Sequence, residues 1–357
     1  MSTPETTIDE AKLEQFMGQF VGDFGAAMTA PLVLIGDKLG LYKAMADGEP
    51  VTPTQLAERT DCRERYIREW LCQQAASGYV EYEPNGGTFR LPPEQAMALA
   101  DEDSPAFIPG AFQLLAAVVK DEPHITERFR SGEGFGWHEH HHDLYAGTER
   151  FFRPGYLANL VESWLPSLEG ITDKLLAGAR VADIGCGHGA STILMAKAFP
   201  ASTFVGSDYH EGSIDAAHAA AKRSGVADRV SFEVASAKDF GGGPFDLVCV
   251  FDALHDMGDP AGAARHVRDQ LADDGTWMVV EPFAGDAIED NLNPIGRIFY
   301  GGSTMLCTPA SLSQEVGLAL GAQAGEQRLT EVLGDGGFSR VRRAAETPFN
   351  IVLEARP

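Results

Sequence analysis

The chain has 357 residues, 44% of them hydrophobic and 22% charged, with a formal net charge of −24. That length exceeds one ordinary core, so two domains are expected, and a charge of this sign opposes binding to phosphate backbones. The polar, acidic start and the lack of an apolar run judged long enough to span a bilayer give a cytoplasmic protein with no membrane partner as the expectation.

Taken in chain order, residues 13–45 are apolar at helical spacing: Phe16, Phe20, Phe24, then Leu32, Val33, Ile35, Leu39 and Leu41. The pattern predicts two helices broken near Pro31, acting as a packing or dimerisation element. From residue 51, Thr52 and Pro53 open a helix as cap and first-turn proline. Helix, turn, helix and two short strands around Asn85-Gly86-Gly87 follow, an order that resembles a winged helix. Arg59, Arg63, Arg65, Arg68 and Arg90 are interleaved with Glu58, Asp61, Glu64, Glu69, Glu81 and Glu83. A DNA reader carries a basic stripe instead, so no nucleic-acid partner is expected.

Residues 101–174 read as helical with loops. Within them "GFGWHEHHHDLYAGTERFFRP" holds His138, His140, His141 and His142. The pairs His138/His141 and His138/His142 have helical metal-ligand spacing, but no cysteine lies nearby. A segment lining or covering a pocket, or a solvated turn, is the preferred reading. Phe112, Trp137, Tyr145, Phe151, Phe152 and Tyr156 are its candidate lid aromatics. The five cysteines, Cys62, Cys72, Cys186, Cys249 and Cys307, contain no CxxC pair, and no metal centre is expected.

From residue 179 strands alternate with alanine-rich helices. Candidate strands are 180–184, 203–207, 230–235, 245–251, 276–281 and 350–354, with helices at 213–224 and 259–271. This alternation predicts an α/β fold with a doubly wound sheet. After the first strand comes "VADIGCGHGAST", with Asp183, Gly185, Gly187 and Gly189. The spacing is GxGxG, not the dinucleotide GxGxxG. A carboxylate two residues before the first glycine would repel a pyrophosphate and attract an amino group or a sulfonium. The next strand ends in "FVGSDYH", where Asp208 can accept from two ribose hydroxyls.

This combination resembles the class I S-adenosylmethionine-dependent methyltransferases over the stretch from residue 175 to the C-terminus. The resemblance implies S-adenosyl-L-methionine as cofactor. It implies binding by Asp183, Gly185, Gly187 and Gly189, by Asp208 with Tyr209 and His210, by Ser236 and Ala237 in "EVASAKDF", and by Phe251 and Asp252. It also implies a Rossmann-like mixed sheet closed by "GGFSRVRRAAETPFNIVLEARP", whose last strand runs antiparallel. With the winged-helix-like front, the chain is similar to small-molecule O-methyltransferases.

In that family a histidine after the fourth strand is the general base. "FDALHDMGDP" supplies His255 and Asp256, and "WMVVEPF" supplies Glu281 to orient the histidine. A second orienting acid has no match in "GGSTMLCTP", where Ser303, Thr304 and Cys307 are read as acceptor-pocket residues. Chemically, a hydroxyl must lose a proton to attack a sulfonium carbon, and histidine titrates near neutrality. Structural alternatives remain at this point: Asp252 and Asp256 as caps of the following helix, or transfer to nitrogen or carbon by proximity alone. A nicotinamide dinucleotide is the competing cofactor.

The expected organisation is a helical, winged-helix-like dimerisation domain over 1–100, a helical linker and lid over 101–174, and the methyltransferase domain over 175–357. The expected partners are a small-molecule acceptor and a second copy of the chain. A transcription regulator sensing a nucleoside ligand is the alternative function.

Overall fold

The computed structural model describes residues 8–357. The chain forms two compact units, one extending to Ala116 and the other covering Ala117–Pro357.

In the first unit, α1 is a single helix, Glu10–Lys38, capped by Asp9, whose carboxylate accepts from the N–H of Ala11 and Lys12. The expected break at Pro31 does not occur. Proline removes one helix hydrogen bond, but packing holds the turn that follows it: Trp70 Nε1 donates to the Leu32 carbonyl at 2.8 Å, and Val33 is fully buried. At 29 residues α1 is also long and apolar enough to cross a membrane by length and composition, which the sequence expectation had excluded. The helices α2 (Pro53–Arg59) and α3 (Glu64–Ala76) and the antiparallel pair β1 (Glu81–Glu83) and β2 (Thr88–Arg90) follow in the anticipated order. Thr52 and Gln55 form a reciprocal capping box on α2. Four of the five arginines are matched by acids: Arg59 with Asp47, Arg65 with Glu69, Arg68 with Glu64, and Arg90 with Glu81. Phe112, expected in the lid, packs on the core of this unit.

The second unit is built on a seven-stranded sheet of order β5-β4-β3-β6-β7-β9-β8. Its strands are β3 (Arg180–Ile184), β4 (Thr203–Asp208), β5 (Val230–Val234), β6 (Phe245–Phe251), β7 (Leu271–Pro282), β8 (Arg340–Glu346) and β9 (Asn350–Arg356). The first five pair in parallel, while β9 runs antiparallel to both its neighbours. Successive residues point to opposite faces, which explains the apolar runs. Leu247, Cys249 and Phe251 belong to one core, with Met278 and Val280; Val248 and Val250 belong to the other, with Trp277 and Val279. β7 begins five residues before its expected start because Leu271 pairs with Phe245 ahead of a register shift. The helix after β6, Pro260–Gln270, is capped by Asp259, whose Oδ1 accepts from Gly262 N at 2.8 Å. Asp252 and Asp256 therefore do not cap it. The strand order reverses at β3, so the loops after β3 and β6 open a crevice between them, the usual ligand position in such sheets.

Candidate functional site

The loop after β3 turns through Gly185, Gly187 and Gly189, all with positive φ (68°, 51° and 77°). Side chains other than glycine are strained there. Asp183 closes the loop from behind: its Oδ2 accepts from the hydroxyls of Ser191 and Thr192, both at 2.6 Å, in the first turn of the next helix. Asp183 Oδ1 has no partner, and burial pushes this carboxyl up to about 6 despite those two hydrogen bonds. At the end of β4, Asp208 Oδ2 accepts from Gly187 N at 3.0 Å and Oδ1 from His210 N at 2.9 Å. One carboxylate thus ties the glycine loop to the neighbouring strand.

These elements border a cavity of about 450 Å³. Gly185, Gly187, Asp208, Tyr209, His210, Ser236, Ala237, Phe251, Asp252 and Asp256 line it. Asp183 and Gly189 stand behind the wall next to lining residues Ile184 and Ala190, and His255 and Glu281 do not border it. Ser236 is engaged locally, donating to Asp239 Oδ2 at 2.5 Å and accepting from Lys238 N. Four of the six candidate lid aromatics line the cavity: Trp137, Tyr145, Phe152 and Tyr156. Tyr145 stacks on His210 with centroids 4.1 Å apart and planes 8° from parallel. His210 Nδ1 accepts from Ser213 N, so the ring is held on both sides.

Sequence reasoning missed His188, Thr148, Glu149, Lys238 and Gln314, which also border the cavity. His188 lies inside the glycine motif and was open to inspection. Gln314 reaches the site from 58 residues away, donating to the Asp256 carbonyl at 2.9 Å, with no local signal.

Beyond β6 the chain bends at Asp252, whose φ is 49°, a conformation that costs energy in a non-glycine residue. Asn350 Nδ2, at the start of β9, donates to Asp252 Oδ1 at 2.8 Å, while Asp252 Oδ2 has no partner. His255 follows in a short turn and is 3% exposed. Its Nδ1 lies 2.5 Å from Glu281 Oε2, and Glu281 Oε1 accepts from Leu254 N at 2.9 Å. Its Nε2 lies 3.1 Å from Asp256 Oδ1, an ion-pair approach without hydrogen-bond alignment, since that oxygen has no hydrogen-bond partner. Burial alone would lower the His255 pKa. Glu281 and Asp256 outweigh it and hold the ring well above its ordinary value. Trp137 Nε1 donates to Asp256 Oδ2 at 3.0 Å.

The three residues expected around the acceptor are placed otherwise. Ser303 Oγ accepts from Ala322 N, Thr304 donates to the Tyr300 carbonyl, and Cys307 lies beside His255 and Asp256. The histidine run separates as well. His138 borders the cavity, His140 pairs with Asp121 at 2.8 Å, and His141, His142 and Asp143 form a partly exposed cluster.

The site combines unpartnered carboxylate oxygens on Asp183 and Asp252, a braced acid at Asp208, and a glycine loop open to backbone approach. Such a donor set suits a ligand that carries positive charge and vicinal hydroxyls, and it opposes a pyrophosphate.

Comparison with known proteins agrees. Residues 27–101 match the model of the Rv2258c-like winged HTH domain, and residues 175–332 match that of a methyltransferase domain. The 27-O-demethylrifamycin SV methyltransferase of Amycolatopsis mediterranei is 31% identical over 153 residues, 41% of this chain and 48% of that protein. The matches span at most about half the length of the curated relatives. An O-methyltransferase family protein from Burkholderia thailandensis has the same fold at 17% identity, with a TM-score of 0.70 over 98% of this chain and 99% of that one. Human N-acetylserotonin methyltransferase, solved in complex with S-adenosylmethionine, does so at 14% identity, with a TM-score of 0.68 over 99% of each chain. The chain therefore carries a winged helix-turn-helix domain followed by a methyltransferase domain.

Proposed function

We propose that the protein transfers the methyl group of S-adenosylmethionine to a hydroxyl of a small, aromatic or otherwise hydroxylated acceptor. Asp208 would hold the ribose hydroxyls, and Gly185 and Gly187 would let the backbone approach. Asp183 and Asp252 would offset the positive charge of the donor. Tyr209, His210, Ser236, Ala237 and Phe251 complete the donor side of the cavity. Bound there, the cofactor supplies an electrophilic methyl group on a sulfonium.

The observation that carries the acid–base part is the 2.5 Å contact of Glu281 with His255 Nδ1. It fixes the ring and stabilises an imidazolium. Asp256 borders the cavity and stands between it and Nε2, so a proton released by the acceptor reaches His255 by way of that carboxylate.

One observation favours a second reading, transfer to nitrogen or carbon by proximity alone: His255 is buried and does not line the cavity. The two readings separate in a screen of phenols and amines with labelled donor, run with the natural chain and His255→Gln. Base catalysis requires a loss of about 100- to 10,000-fold on hydroxyl acceptors. A change within a few fold leaves proximity. Calorimetry with S-adenosylmethionine and S-adenosylhomocysteine tests the cofactor, and absence of binding to either rejects the function as a whole.

The same reading includes a homodimer and a cytoplasmic location. Phe16, Phe20, Phe24 and Met28 form an exposed stripe at helical spacing on α1, which a second copy would cover. Light scattering of the full chain checks it. A regulator role is tested by a gel shift at low salt, and the absence of any shift rejects it.

A further inference from the structure

The side of His255 turned away from Glu281 gathers three kinds of metal-binding atom. His255 Nε2, Asp256 Oδ1 and Cys307 Sγ all lie within 4.8 Å of one another, and all three side chains are buried. Asp256 is 8% exposed, and its Oδ1 is one of the buried polar atoms without a hydrogen-bond partner. An unmatched buried oxygen of this kind is costly unless something else occupies it.

We propose that His255 Nε2, Asp256 Oδ1 and Cys307 Sγ form a three-ligand seat for zinc, which occupies the free ring nitrogen of His255 and so inhibits methyl transfer. The seat itself is independent of the function proposed above; only the inhibition rests on it.

Imidazole, carboxylate and thiolate are the ligand types zinc takes, in tetrahedral arrangements with nitrogen and oxygen bonds near ~2.0 Å. Such a tetrahedron has an edge of about 3.3 Å between two ligand atoms at that bond length. The 3.1 Å separation of Nε2 and Oδ1 is already close to it. The surrounding groups also suit a metal. Glu281 accepts from the other ring nitrogen at 2.5 Å, the carboxylate–histidine pairing that orients metal-bound imidazoles. Trp137 fixes the second oxygen of Asp256 at 3.0 Å, which leaves Oδ1 pointing at the seat. Cys307 closes a π-helical turn, Ser303–Cys307, an irregular geometry common at functional positions. A thiol gives up its proton when it ligates a metal, so binding at this seat releases one. Asp256 borders the cavity, which leaves a fourth position to water or to an acceptor heteroatom.

Cobalt titration of the full chain reads the seat without any methyl-transfer assay. One equivalent is expected to give a thiolate-to-cobalt charge-transfer band. Cys307→Ala should lose that band and bind zinc at least tenfold more weakly, while S-adenosylhomocysteine affinity stays unchanged and so reports an intact fold. The surface cluster at His141, His142 and Asp143 is the competing seat. His141→Ala/His142→Ala should therefore keep both the band and the affinity. Cobalt binding without a thiolate band overturns the proposal, as does loss of binding in the surface double variant alone. Zinc should also slow methyl transfer by the natural chain and not by Cys307→Ala. Stoichiometric zinc with an unchanged rate overturns the inhibition and leaves the seat standing.

Discussion

Glu281 Oε2 lies 2.5 Å from His255 Nδ1 and Glu281 Oε1 holds Leu254 N at 2.9 Å, so one carboxylate at the end of β7 fixes both the histidine and the turn that carries it. Both residues are almost wholly buried. The pair therefore behaves as a unit, with the ring's tautomer set by its neighbour.

The pH dependence of methyl transfer follows from this pair. Burial would lower the His255 pKa, but the two acids raise it well above its ordinary value of 6.5. The neutral ring that can accept a proton thus becomes populated only as pH rises beyond that value. A plot of kcat/KM against pH should climb on the alkaline side of neutrality. Glu281→Gln removes one of the charges that stabilise the imidazolium, so the limb should move to lower pH while the plateau falls about 100- to 10,000-fold. A limb left in place by the substitution would remove His255 from the proton path.

Asp208 is expected to control donor affinity without touching the base. Its two oxygens already brace Gly187 and His210, and the residue lines the cavity. Hydrogen bonds to a charged group contribute about 1.5–3 kcal/mol each. Asp208→Ala should weaken S-adenosylhomocysteine binding by at least about tenfold on that scale. Calorimetry measures it, and an unchanged Kd counts against a ribose-binding role.

The strand positions and the glycine loop were legible because each is written locally. β6 is apolar from Leu247 to Phe251 and buried on both faces, and GxGxG with Asp183 and Asp208 spans only 26 residues. The unbroken α1 was not legible. Pro31 is a valid break signal by itself, and it is overridden by Trp70 and Val33, contacts that local pattern does not encode. The surroundings of His255 were only half legible. Glu281 was expected at the strand end, whereas Trp137 reaches Asp256 across 119 residues and Cys307 arrives from a π-helical turn. Cys307 was read as an acceptor-pocket residue because nothing in its own segment points to the histidine.

Donor binding should itself be pH-dependent through Asp183. Burial raises its carboxyl to about 6, with Ser191 and Thr192 limiting the rise. A folded-state pKa above the unfolded one means that the ionised form is disfavoured in the fold. A bound cation reverses this, so binding near pH 6 should release a proton. Affinity for S-adenosylmethionine is expected to rise between pH 5 and about 7 and then level off. Repeating the calorimetry in buffers of different ionisation enthalpy counts the protons. Asp183→Asn should flatten the trend, and proton uptake on binding would contradict the assignment.

Gly189→Ala and Gly225→Ala separate backbone strain from crowding. Both glycines have positive φ, 77° and 69°. A side chain costs about 1–2 kcal/mol in that region. At Gly225 an added Cβ meets open space, so Gly225→Ala should lose only that amount. At Gly189 the Cβ would stand 2.7 Å from Phe232 Cζ and 3.2 Å from Ala217 Cβ, inside the core beneath the loop. Overpacking adds about 1–3 kcal/mol. Urea unfolding should therefore rank the variants with Gly189→Ala the less stable by at least about 1 kcal/mol. Gly189→Ala should also weaken donor binding, because the loop moves with it, while Gly225→Ala leaves binding intact. Equal losses in the two variants would mean that Phe232 yields and that the loop is held less tightly than its contacts imply.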